Sequence, residues 1–172
     1  MKRLIIYVAV IILFSCNVSA QQSNRIILQV AANQIELGYQ HKLFNQKMWG
    51  QTYVGLGNQD VNSSFNDLLA GIKIGFDAWS NSKNTIWVNS NIGIYIPNND
   101  YYTAVTPVIG VGIGYSRYIG KSGKHALLLN AGYQYGERDY RQKFSSRMAD
   151  IETVGNFSVA PLYFSLGYGF NF

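Results

Sequence analysis

Cysteine is almost missing from this chain. Cys16 is the single one in 172 residues, so no disulfide framework, thiolate metal cluster or cysteine nucleophile is available to a product cleaved after residue 20. Charge is also scarce, at 13% Asp, Glu, Lys and Arg. The formal charge of +5 falls to +3 without Lys2 and Arg3, too mild a balance to imply nucleic acid as a partner. Histidine is limited to His41 and His125. After residue 20 there is no apolar run long enough for a spanning helix, and no helical period of useful length. Any membrane-spanning form must therefore be a closed barrel of strands, because only helices and closed barrels satisfy their backbone hydrogen bonds inside a bilayer.

The residues that are abundant fit that remaining option. There are 17 glycines, 13 tyrosines and 15% aromatic residues, a composition of β-proteins that place aromatics at interfaces. The end of the chain is the clearest segment. Leu162, Phe164, Leu166, Tyr168, Phe170 and Phe172 occupy alternate positions, with Ser165, Gly167, Gly169 and Asn171 between them. Side chains alternate across a strand, so this stretch has one large apolar face and one small polar face.

The same alternation recurs upstream. It predicts strands over residues 25–31, 35–44, 48–57, 68–79, 85–96, 105–119, 125–137 and 159–172, most of a length suited to a tilted membrane strand, about 9–11 residues. The first is the weakest, because Ile26, Ile27 and Leu28 interrupt the alternation. Short links at 45–47, 80–84 and 120–124 alternate with longer ones at 58–67, 97–104 and 138–158, as short periplasmic turns alternate with external loops in outer-membrane barrels. The tight link at 32–34 departs from that rule.

The beginning of the chain points to export. Lys2 and Arg3 precede an apolar run over 4–14 and a small-residue stretch ending Val18-Ser19-Ala20. This reads as a secretory signal peptide over 1–20 followed by a barrel domain over 21–172. A lipoprotein box with Cys16 as the lipidated residue is the alternative.

The expected fold class is therefore all-β, a closed antiparallel eight-stranded up-and-down transmembrane β-barrel. A soluble lipocalin-like barrel is the structural rival, with the apolar face turned inward. The interior of an eight-strand barrel only just holds its side chains. The glycine-rich face with Glu36, Lys42, Lys73 and Asp77 suits that narrow space, and the Ile-, Leu- and Tyr-rich face would overfill it. These four charges are expected to project into the lumen and neutralise one another, either plugging the barrel or gating a narrow pore for small solutes or ions. Gly110, Gly112 and Gly114 are read as interior thinning rather than a phosphate loop, since no helix follows. Tyr39, Trp87, Tyr115, Tyr118, Tyr133, Tyr135, Tyr168 and Phe170 are candidates for interfacial girdles. The last long link, with Arg138, Tyr140, Arg141, Lys143 and Arg147, is the candidate external contact surface for lipopolysaccharide or a protein. A solvated loop or strand extensions above the membrane are the plainer alternative.

The exported leader, the eight alternating strands and the ending Leu166-x-Tyr168-x-Phe170-x-Phe172 resemble the small outer-membrane β-barrels of the OmpA/OmpX-like superfamily. The likeness is architectural and covers most of residues 21–172. It implies a bacterial outer-membrane location, contact with outer-membrane lipid and lipopolysaccharide, and reading of Tyr168, Phe170 and Phe172 by the barrel assembly machinery. A monomer without a cofactor is expected. Some small barrels modify lipids, but His41 and His125 both sit beside short turns, on the side opposite to where lipid A would lie. They also lack the His-x-Ser spacing of lipid A deacylases. No nucleophile–base pair, metal spacing or cofactor motif emerges, so a structural or interaction role is expected, not an enzyme.

Overall fold

The computed structural model describes residues 24–43, 46–57, 67–98, 104–145 and 150–172, except the side chains at 140, 142–145, 150 and 157. The expected signal segment 1–20, Cys16 and most of the two links around 58–66 and 99–103 lie outside the described residues. Ten strands form: β1 (Asn24–Ala31), β2 (Gln34–Lys42), β3 (Met48–Gly57), β4 (Asp67–Ser80), β5 (Asn84–Ile96), β6 (Thr106–Ile119), β7 (His125–Tyr135), β8 (Glu137–Ser145), β9 (Asp150–Ser158) and β10 (Leu162–Asn171). Eight of them close into an antiparallel barrel in the order β1-β10-β7-β6-β5-β4-β3-β2, and β8 with β9 forms a separate two-stranded sheet. The expected eight-stranded closed barrel is thus present. The hairpin occupies what was read as one long link.

β1 closes the barrel, pairing Arg25 with Asn171 on one side and with Gln40 on the other. Ile26-Ile27-Leu28 does not break the strand: Ile26 and Leu28 face outward, and Ile27 packs inside against Ala126 and Leu128. Three tight turns gather at one end, together with the start of β1 and the end of β10. In the first, Leu43 and Met48 bond across the link and Gln46 adopts φ 60°. In the second, Asn81 Oδ1 accepts from the backbone N–H of Lys83 (2.9 Å) and Asn84 (2.7 Å), an Asx turn. In the third, Gly120 and Gly123 supply φ of 75° and 63°, a region most other residues avoid. The opposite end carries the tight Ala32–Asn33 link, the longer links and the β8–β9 hairpin.

The faces are inside-out relative to a soluble barrel. Ile72, Ile74, Ile92, Ile109, Val111, Ile113, Leu129, Phe164 and Leu166 face outward and are exposed, while Gln29, Glu36, Gln40, Gln51, Lys73, Asn89, Asn91, Asn130 and Gln134 are buried within. Inward apolar packing is limited to two small clusters, one around Leu69, Tyr95, Val108 and Val159 and one of Ile27, Ala126 and Leu128.

The narrow interior is filled by large side chains laid over glycines. Trp49 lies opposite Gly75 and Tyr53 opposite Gly71 across β3–β4. Trp87 lies opposite Gly114 across β5–β6, and Tyr163 opposite Gly132 across β10–β7. A Cβ at any of these four glycines would collide with the aromatic ring facing it. This is the device by which a strand glycine gains a packing partner from its neighbour. The glycine run on β6 follows the same rule: Gly110 makes room for Asn91, Gly112 for Tyr163 and Gly114 for Trp87. Trp87 was expected at an interface. The structure corrects this: its indole is buried in the lumen, edge-on to Trp49 with ring centroids 5.5 Å apart, and donates to Ser116 Oγ at 3.0 Å.

Candidate functional site: a layered lumen and its two mouths

The inward residues of β4 step through every layer of the lumen, because alternate residues of one strand face the same side. From the loop end to the turn end they are Asp67, Leu69, Gly71, Lys73, Gly75 and Asp77.

Asp67 forms the first layer. It is fully buried and accepts from Arg138 Nη1 at 2.6 Å. Arg138 was expected on an exposed contact surface, and the structure corrects this. Position 138 falls on the inward side of β8, where the pleat of the barrel wall continues above β7, so its guanidinium turns down into the loop-side mouth. Leu69 forms the next layer with Tyr95, Val108 and Val159, an apolar cluster that closes this mouth.

Lys73 lies deeper and pairs with Glu36. The carboxylate also accepts from Gln34 Nε2 at 2.6 Å, and Gln34 in turn accepts from Tyr95 at 2.6 Å. Lys73 Nζ reaches Gln29 Oε1 at 3.3 Å and lies 4.6 Å from the centre of the Tyr53 ring. The chain Tyr95–Gln34–Glu36–Lys73–Gln29 thus ties five residues on β5, β2, β4 and β1 across the barrel axis. A buried ion pair is tolerated when its remaining hydrogen-bonding capacity is met.

Below the Trp49–Trp87 layer, Asp77 pairs with Lys42 and accepts from Trp49 Nε1 at 3.1 Å. Glu36, Lys42, Lys73 and Asp77 are therefore all luminal, but they form two separate pairs at two depths rather than one cluster. Between them the lumen narrows to a cavity of about 10 Å³ bordered by Gln29, Gln51, Lys73 and Asn89, room for about one water.

The turn-side mouth is different. It opens into a cavity of about 230 Å³ lined by Arg25, Gln40, Lys42, Tyr118, Gly123 and Asn171. Arg25 is buried, donates from Nε to Asn171 Oδ1 at 2.7 Å and from Nη2 to Tyr118 Oη at 2.8 Å. Tyr118 thus belongs to the lumen rather than to a girdle. Arg25 is the first residue of the strand expected over 25–31, and Asp67 is the last residue of the link expected over 58–67, so alternation assigns neither a face.

The rest of the expected contact surface divides. Arg141 is exposed on the hairpin, where it pairs across from Val154. Tyr140 and Lys143 lie in β8, but their side chains are outside the described residues, as is the whole of Arg147. Tyr168, Phe170 and Phe172 face outward at the turn-side rim, with Phe170 and Phe172 stacked 6.4 Å apart and Tyr39 6.5 Å from Phe172. His125 packs on Tyr168 and Phe170, and His41 Nδ1 lies 2.7 Å from Asn24 Oδ1. Both histidines are at this same rim and apart from any carboxylate cluster. Among the described residues no three His, Cys, Asp or Glu side chains are grouped to hold a metal ion.

Comparison with protein-family models, curated proteins and solved structures finds no match for this chain. The functional reading rests on the geometry alone.

Proposed function

We propose that this protein is an integral outer-membrane β-barrel, akin to the OmpA/OmpX-like superfamily, with a structural or surface-interaction role and no chemistry of its own. One observation carries the proposal. The outward face of the barrel strands is predominantly apolar, with Arg117, His41 and His125 confined to the turn-side rim, while the ion-paired groups of the wall turn into a packed lumen. In water such a surface would favour aggregation. In a bilayer it is the matched solvent, with polar residues inside and aromatics at the rim. The rim aromatics at Tyr39, Tyr168, Phe170 and Phe172 suit headgroup depth.

In this reading the tight-turn end faces the periplasm, and the hairpin with its neighbouring links faces outward, toward lipopolysaccharide. Arg141 is the described side chain best placed for such contact. The lumen is a plug. Solute passage would require the Lys73–Glu36 pair to part and the Leu69 cluster to open, so the folded monomer should not conduct.

The test is membrane fractionation after expression with the native leader, followed by gel electrophoresis with and without boiling. Recovery in the outer-membrane fraction, with a faster-migrating unboiled band, is expected. Recovery in the soluble periplasmic fraction would end the proposal. Planar-bilayer recording of the refolded protein separates plug from pore: a silent bilayer fits the plug, and steady single-channel steps would favour the small-solute pore.

A further inference from the structure

The lumen holds four cations and three anions among its described side chains: Arg25, Lys42, Lys73 and Arg138 against Glu36, Asp67 and Asp77. Three ion pairs account for all the anions. Arg25 is the cation left over. It is buried with 8% of its surface exposed, and no carboxylate among the described residues lies within ion-pair distance of it. A buried charge without a counter-charge is costly. Here the chain goes to some length to keep one in place. Gly169 leaves room for the Arg25 stem, because a Cβ there would come within 2.9 Å of its Cδ. Asn171 is itself held, donating from Nδ2 to the Gly123 carbonyl at 2.7 Å. The Tyr118 ring lies 5.4 Å from the guanidinium carbon. The arginine is therefore positioned by three neighbours, all neutral, and it borders the cavity of about 230 Å³.

We infer that this turn-side vestibule is a binding site for a small oxyanion, a phosphate or carboxylate group, entering from the aqueous side. Arg25 Nη1 has no acceptor among the described residues, and the planar guanidinium fork matches such oxyanions. Tyr118 accepts from Arg25, so its own hydroxyl proton is left to donate. The Gln40 amide and Lys42 ammonium line the same space. The Lys42 charge is mostly balanced by Asp77, so Arg25 supplies the uncompensated attraction. The volume is below the roughly 300–1,000 Å³ of sites for drug-sized ligands, which limits the occupant to a small anion or the anionic end of a larger water-soluble molecule. The inference rests on the barrel interior and not on the membrane reading, so the two fail separately.

The experiment is a titration of inorganic phosphate into the refolded full chain in neutral detergent at constant ionic strength, read by amide chemical shifts and by calorimetry. Saturable binding at one site is expected, with shifts centred on Arg25, Tyr118, Gly123 and Asn171. Arg25→Gln should weaken it about tenfold or more, the scale of one lost charge-assisted contact. Arg25→Lys should fall between. Lys121→Gln, in the exposed turn at the same end, should leave it unchanged, which separates a site from general surface charge. Should Arg25→Gln fail to give the folded gel band, Tyr118→Phe replaces it and should weaken binding by several-fold. Linear, unsaturable shifts, or saturation that survives both substitutions, would overturn the inference. Binding to phosphatidylglycerol vesicles without binding to free phosphate would also overturn it, by making the ligand a lipid headgroup.

Discussion

The two mouths of the barrel solve the same problem in opposite ways. Each places an arginine inside a narrow lumen. At the loop side Arg138 meets Asp67 with both side chains almost wholly buried, and an apolar layer of Leu69, Tyr95, Val108 and Val159 lies against the pair. At the turn side Arg25 meets, among the described residues, a tyrosine and an asparagine but no carboxylate, and a cavity takes the place of the apolar layer. The difference teaches that charge burial in this barrel is not uniform. One end is closed by internal compensation, and the other keeps a cation beside accessible space.

The comparison is broken most severely at the closed end. Asp67→Ala removes the anion and leaves Arg138 buried, which should cost about 3–5 kcal/mol. The midpoint of urea unfolding in lipid vesicles measures it, and Asp67→Leu combined with Arg138→Met should recover most of the loss. Lys73→Met tests the middle of the lumen. It strands Glu36 and should destabilise by a similar or smaller amount, about 3 kcal/mol, while bilayers stay silent because the apolar layer above is intact. A folded variant that conducts would show that the pair, not the packing, closes the barrel.

Gly114→Ala probes the packing between the two ends. The added methyl meets the Trp87 indole directly, and overpacking of this kind costs about 1–3 kcal/mol. Tryptophan fluorescence should shift along with the unfolding midpoint. Arg25→Gln sharpens the comparison from the open end. The side chain borders solvent-accessible space and has no partner ion to strand, so its removal should change stability by about 1 kcal/mol or less. A loss as large as that of Asp67→Ala would mean that the two mouths are energetically alike.

Much of the barrel was legible because strand periodicity is local. The alternation over 48–57 coincides with β3, and the strands read from 85, 105 and 125 begin within one residue of β5, β6 and β7. The hairpin was legible only as a long link, with strand extensions among the alternatives. Its residues mix charge and aromatics without a sustained apolar alternation, and Ile151 and Val154 are both exposed. Pro161, which cannot donate a backbone hydrogen bond, lies between β9 and β10 and still accepts from Gln134 N–H at 2.7 Å. The strand read as 159–172 is therefore three residues of corner and then β10.

Of the site, the residue types were visible but not their partners. Glu36, Lys42, Lys73 and Asp77 share the inward parity of their strands, and that follows from the period of two. Which lysine meets which carboxylate depends on the register of β2 against β3 and β3 against β4, where Gln51 lies level with Lys73. No local pattern carries that depth. Arg25, Asp67 and Arg138 sit at strand ends, where alternation has too few neighbours to assign a face.

The sequence by itself determined a one-sided chain: eight alternating segments, large apolar residues on one face, glycine and sparse charge on the other. Those are properties of neighbours along the backbone. Only the tertiary structure decided which glycine Trp49, Tyr53, Trp87 and Tyr163 each rest on, which lysine meets which carboxylate, and that Arg25 has no carboxylate within ion-pair distance among the described residues. Each of these depends on which strands lie side by side and at what register, and closure of the barrel sets all of them at once.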